Sequence, residues 1–286
     1  MSVTDASKTQ TPDAAASVPA AARPLDLARQ IAVISALGFT LVAVLVGVGG
    51  LGGTEVENSQ GGRLSAQGSY LAPASPAFSI WSVIYLGLAA YVVWQALPSQ
   101  RASARQRAIG WWIALTIALN GLWLVAAQLL TIEWTVIVIV LLLIALGIAF
   151  RISVVTRTPR GGWVDALLID GVTGLHLGWV TLATVANIAA WLTAIVPQSW
   201  GDQATAWGLA VLAAVAVIGL GIAWASGWRV APGIALAWGL MWLAVGRLSG
   251  DPSNEIIGIA AAVVAVLVLV VPLGVAGLRA LRPEHD

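Results

Sequence analysis

Cysteine is absent from the chain, and lysine occurs once, as Lys8. The first absence excludes a disulfide framework, a thiolate metal centre and a cysteine nucleophile. Histidine appears only as His176 and His285, too few for a metal cluster. Charge is scarce too: 9% of the 286 residues are Asp, Glu, Lys or Arg, and the net charge is +1. There is no Walker A sequence, no Gly-x-Gly-x-x-Gly opening a nucleotide fold, no His-Glu-x-x-His and no usable Ser, His and Asp set. Hydrolytic and conventional redox enzymology are therefore not expected.

What is present is apolar. The chain is 59% hydrophobic with a mean hydropathy of +0.90, beyond what a soluble domain of this length carries. It reads as an all-α integral membrane protein. Fifteen Trp against three Phe and three Tyr exceed what interfacial aromatic belts require. Hydropathy predicts eight spans, at Ile31–Gly50, Pro76–Leu97, Ile109–Leu130, Trp134–Phe150, Val164–Ile195, Ala206–Ala225, Ala231–Val245 and Ile256–Leu278. Residues 1–27, rich in Ala, Ser, Thr and Pro, are expected to be a disordered tail, and 282–286 a second short one. A Gly-rich and polar stretch at 51–75 is the longest loop, of the length at which loops are lids or disordered. The fifth span is over-long, which suggests tilt or an end near Asn187. The seventh is short, with Pro232 suited to a first turn and Arg247 able to snorkel to the far interface.

Eight spans divide the basic residues unequally. With the N-terminus cytoplasmic, Lys8, Arg23, Arg29, Arg101, Arg105, Arg107, Arg151, Arg157, Arg160, Arg229, Arg279 and Arg282 share that side, leaving only Arg63 and Arg247 opposite. Such a bias sets an inner-membrane orientation with both termini cytoplasmic. Arginines spread over loops in this way are topology determinants, so no nucleic-acid partner is expected.

Polar groups inside the spans then acquire depths. In the fifth span His176, Trp179, Ala183 and Asn187 fall on one helical stripe. Trp81 and Tyr85, one turn apart in the second span, and Asn120 and Trp123 in the third converge on the same outer half. Flat indoles plus a few hydrogen-bonding amides suit a flat, amphipathic ligand.

These residues resemble a family. Pro76-Ala-Phe-Ser-Ile-Trp81-Ser-Val-Ile-Tyr85, Leu119-Asn120-Gly-Leu-Trp123 and Trp179 with Asn187 eight residues later are similar to the second-, third- and fifth-helix motifs of the TspO/MBR family, the tryptophan-rich sensory or translocator proteins. The resemblance covers about residues 28–197. It implies a five-helix bundle whose pocket binds protoporphyrin-like tetrapyrroles or other flat apolar molecules, and in some members light-dependent porphyrin breakdown. Residues 198–281 add three spans without a counterpart. Carried over residue by residue, the ligand-binding set is Trp81, Tyr85, Asn120, Trp123, Trp179, Ala183 and Asn187, with Phe78 as a looser match and His176 added from the stripe. The first loop departs from the family: it offers Tyr70, Pro73 and Pro76 where members carry a Trp-Tyr pair and a Lys-Pro-x-Trp segment. Leu175 and His176 stand where members have Pro-Tyr.

Duller roles compete for each residue. The tryptophans, Trp238 and Trp242 included, serve equally as packing, and Asn120 and Asn187 as interhelical glue averaging roughly 0.6 kcal/mol. Gly171, Gly174 and Gly178 are expected to permit close helix approach. No cofactor is required, although His176 leaves haem ligation open. Expected partners are the bilayer, a tetrapyrrole or another flat apolar molecule, and, as an open alternative, a second copy of the chain. A different class of function, secondary transport with Asp170 and His176 carrying protons, also stays open.

Overall fold

The computed structural model describes residues 21–157 and 162–281. The expectations for most of the N-terminal tail, for residues 282–286 and for Lys8, Arg160, Arg282 and His285 lie outside the described residues. Those described are helical without strands, and eight helices are long and apolar enough to cross a membrane. Their α-helical parts are α1 Pro24–Gly47, α2 Ile80–Ala96, α3 Ala104–Leu129, α4 Ile132–Val155, α5 Val172–Ile195, α6 Ala204–Ala225, α7 Ala231–Ser249 and α8 Glu255–Ala280, the second, fifth and sixth spans starting earlier, at Ser75, Gly162 and Ser199. This is the predicted all-α membrane architecture.

Local chemistry sets the ends. Pro24 occupies the first turn of α1, and the Asp26 carboxylate accepts the Arg23 backbone N–H at 2.8 Å. Ser103 caps α3 and Asn254 caps α8 through side-chain oxygens. Pro232 opens α7 as expected. The first span begins seven residues earlier than hydropathy predicts, at Pro24 rather than Ile31, because its polar residues find partners. Arg107 pairs with Asp26 at 2.7 Å, Arg29 reaches the carbonyls of Gln100 and Arg101, and Gln30 donates to the Gln95 carbonyl at 2.7 Å. A hydrophobicity scale counts these side chains as unpaired.

The helices form two apolar clusters. One joins α1 to α5 around Ile84, Ile117, Leu142, Ile169 and Trp179. The other joins α6 to α8 around Leu212, Leu240 and Val268. They interlock along α5 and α7: Leu182 of α5 belongs to the second cluster and Ala235 of α7 to the first. Two of the three glycines expected to allow close approach do so here. A Cβ at Gly178 would collide with the Pro232 carbonyl oxygen, and one at Gly174 would stand 2.9 Å from the Ala231 methyl. Gly171 has ordinary space around it.

Arginines collect at one end of the bundle. Besides those around Asp26, Arg151 donates to the Ala225 carbonyl and Arg279 to the Gly227 carbonyl there. The chain enters α1 and leaves α8 at this arginine-rich end. The connection 48–74 covers the opposite, loop end.

Candidate functional site

At the loop end, a Pro76-containing helical turn, Ser75–Ser79, leads the chain into α2. It sets Phe78 just before the helix and Trp81 and Tyr85 on its inner face. Trp81 and Tyr85 stack at 5.2 Å with 17° between their planes. From α3, Asn120 donates its Nδ2–H to the Tyr85 hydroxyl at 2.9 Å, and Trp123 donates its Nε1–H to Asn187 Oδ1 at 3.1 Å. Asn187 in turn donates to the Ala183 carbonyl one turn back along α5. Each of the two asparagines therefore bonds to an aromatic residue on another helix.

Trp179 is the centre of this arrangement. Its ring meets Phe78 edge-on at 5.9 Å and Trp81 at 6.1 Å, and Trp81 also meets His176 at 5.7 Å. Edge-to-face geometry suits ring quadrupoles at these distances. Trp179 is 1% exposed, and its Nε1–H has no hydrogen-bond partner among the described residues; the same holds for His176 Nε2. Buried polar atoms left unpaired cost about 1–3 kcal/mol each, and of the two residues only Trp179 lines the adjoining cavity.

The structure brings seven of the nine predicted residues to one cavity: Phe78, Trp81, Asn120, Trp123, Trp179, Ala183 and Asn187. Tyr85 and His176 do not line it and contact Trp81 from outside. The stripe expected along α5 is thus split, with His176 set apart from the other three. The cavity holds only about 40 Å³. That is room for water-sized molecules, whereas drug-sized ligands need about 300–1,000 Å³.

Sequence reasoning marks 51–75 as a loop of lid length but does not give the contacts that make it a roof. Val56, Arg63, Leu64, Ser65, Ala72 and Pro73 of the connection 48–74 close the cavity from above. Gln60, in a left-handed conformation (φ 53°), donates to the Ala127 and Leu130 carbonyls at the end of α3, while Thr54 and Gln128 exchange hydrogen bonds. On the other flank α7 holds the roof. Arg247, expected to snorkel outward, is instead 1% exposed and donates to the carbonyls of Ala66 and Ser69. The Ala74 N–H bonds to the Trp242 carbonyl, and Trp238 Nε1–H to the Ala77 carbonyl. A signal was present: Arg63 and Arg247 are the two basic residues that escape the arginine-rich side, and both belong to this roof or its support.

Asp170 lies at the other end of α5. It sits inside a π-helical segment, Ala166–Gly171, just before α5, in which hydrogen bonds run from residue i to i+5. Both Asp165 and Asp170 thereby reach Arg105, and Asp170 also pairs with Arg157 and Arg229. Arg105 further donates to the Ser153 carbonyl at 2.8 Å. His176 has no part in this network, so the two residues offered for proton coupling are not brought together. A carboxylate gripped by three guanidiniums is an anchor for helices, and no observation favours it as a proton carrier.

Comparison with known proteins identifies a family. A family model described as TSPO-like protein covers residues 30–273, running from α1 into α8 and so through the three added helices. No curated protein and no solved structure matches the chain.

Proposed function

The chain belongs to the TSPO-like protein family, and from that premise we propose that it is a membrane receptor for a flat, amphipathic ligand of the tetrapyrrole class, taken up beneath residues 48–74. One observation carries this reading: Phe78, Trp81, Trp123 and Trp179 from three segments face a single cavity together with Asn120 and Asn187. Indole faces would stack on the macrocycle, and the amides and the unpaired Trp179 N–H would fix its polar edge. His176 lies behind Trp81 and outside the cavity lining, so the reading assigns it a packing role and no metal ligation.

A tetrapyrrole exceeds the present cavity many times over. Uptake therefore requires the roof to lift and the Phe78, Trp81 and Trp179 rings to part. Apart from the Arg247 contacts and the Ser75 hydroxyl on the Glu57 carboxylate, the roof is fastened by neutral hydrogen bonds, each worth roughly 0.5–1.5 kcal/mol net. Opening is within reach of ligand binding energy. The arginine bias supports an orientation in a bacterial-type inner membrane with the arginine-rich end and both termini cytoplasmic and the roof outside.

The test is titration of detergent-purified protein with protoporphyrin IX, reading Trp quenching and the Soret band, with an unrelated Trp-rich membrane protein as control. Saturable binding that weakens about tenfold, or roughly 1.4 kcal/mol, in Trp179→Phe and Asn187→Ala is expected. Equal binding by variants and control would reject the assignment.

A further inference from the structure

A second cleft lies in the arginine-rich half, between α4 and α6 over the outer face of α5, with a volume of about 460 Å³. It exists because α6 docks elsewhere. Gly208 and Gly219 of α6 let Ile257 and Val268 of α8 approach closely, while α5 spends its glycines on α7. The cleft walls are Leu143, Leu177, Ile218 and Ile222. Its two threonines, Thr181 and Thr184, donate their hydroxyls to the Leu177 and Val180 carbonyls of their own helix, so the floor offers no spare polar group. At Gly147 a Cβ would meet no atom within 4 Å, which shows how fully the cleft is open there.

One helical turn beyond Gly147, Arg151 closes the polar end of this cleft. Its recorded contact is a single hydrogen bond to the Ala225 carbonyl at 3.2 Å, and its side chain is exposed. Arg105, Arg157 and Arg229 are all engaged with Asp165 or Asp170, whereas Arg151 pairs with no carboxylate among the described residues. Four guanidiniums against two carboxylates leave this end of α4 to α7 positively charged. An apolar trough opening sideways from a membrane protein, ended by an unpaired guanidinium in a positive field, matches one chemistry: an acyl chain ending in an anionic phosphate.

We propose that the cleft binds an anionic phospholipid, one acyl chain lying along Gly147, Leu177 and Ile222 and the phosphate on Arg151. The bound lipid fills the gap between the five-helix bundle and α6 and tethers the added helices to it. This site is separate from the aromatic cavity and stands whether or not that cavity takes a tetrapyrrole.

Native mass spectrometry of the purified chain, equilibrated with equal amounts of phosphatidylglycerol and phosphatidylcholine, tests it. The wild type should retain phosphatidylglycerol preferentially. Arg151→Gln should lower that retention about fivefold, as expected for one arginine at an anionic headgroup, and Arg151→Lys should restore most of it. Gly147→Leu, whose Cβ would meet no atom within 4 Å and whose side chain extends into the trough, should lower retention of both lipids, and monodisperse gel filtration identifies folded variants. Arg279→Gln, at the same end but away from the cleft, should change nothing. Retention unaltered in both Arg151→Gln and Gly147→Leu would overturn the proposal. So would an equal loss in Arg279→Gln, which indicates diffuse charge, or displacement by glycerol phosphate alone, which indicates a headgroup site without an acyl chain.

Discussion

At the loop end, α2, α3 and α5 meet through aromatic rings and neutral hydrogen bonds; at the arginine-rich end, α3, α4 and α5 meet through carboxylates and guanidiniums. The aromatic contacts between α5 and the segment that carries Phe78 and Trp81 are edge-on at 5.7 to 6.1 Å. In the ionic cluster every carboxylate has a partner, and Asp170 has three. Re-stacking a pair of rings forfeits about 0.5–1.5 kcal/mol of preferred geometry, while the dispersion contacts spread over many atoms can re-form. A buried charge that loses its partner has nothing to replace it. The same bundle is therefore pinned at its base and adaptable at its top, where a ligand has to enter.

The sharpest way to break this contrast is Asp170→Asn. It leaves Arg105, Arg157 and Arg229 facing one another with one carboxylate fewer, and thermal unfolding should show a loss of about 3–5 kcal/mol. Protoporphyrin affinity per folded molecule should barely change; a selective loss of binding would mean that the two ends are coupled. Gly178→Val comes next, since its side chain must push against the Pro232 backbone and part α5 from α7, at a cost of about 1–3 kcal/mol. Displacement of Trp179, packed beside Gly239 of α7, should accompany it as a change in near-ultraviolet circular dichroism. Arg247→Gln should cost about 1–2 kcal/mol through the lost roof bonds. Its clearest readout is limited trypsin digestion at Arg63, which should accelerate while ligand uptake becomes faster. Smallest is Asn120→Leu, which removes the bond to Tyr85 and should cost about 0.6 kcal/mol. If it proves as damaging as Asp170→Asn, the adaptable top is an illusion.

Hydropathy made the spans legible because membrane thickness imposes one length on every crossing. Helical periodicity made Trp81, Asn120, Trp123, Trp179, Ala183 and Asn187 legible as a convergent set. It failed at Asp165 and Asp170, which at 100° per residue stand about 140° apart on an α-helix. The π-helical segment realigns them, and nothing in Ala166–Gly171 announces it. The fastenings of the roof were invisible for another reason, although its length marked it as a lid. Its contacts join residues such as Gln60 and Ala127, or Ser69 and Arg247, and run largely to backbone carbonyls, which carry no residue signature. The early start of α1 failed similarly, since Asp26 and Arg29 look hydrophilic until Arg107 and the Gln100 carbonyl are placed beside them.

The Arg247 contacts also have a consequence for biosynthesis. Ser69 and its fastener are 178 positions apart. At about 5–20 residues per second, the ribosome reaches α7 on the order of ten seconds or more after it has made the segment that Arg247 will hold. Through that interval five helices can already stand in the bilayer with the roof over the aromatic chamber fastened on its α3 flank and not yet on its α7 flank. A cell supplying the ligand during synthesis could load the nascent chain before its cover is latched.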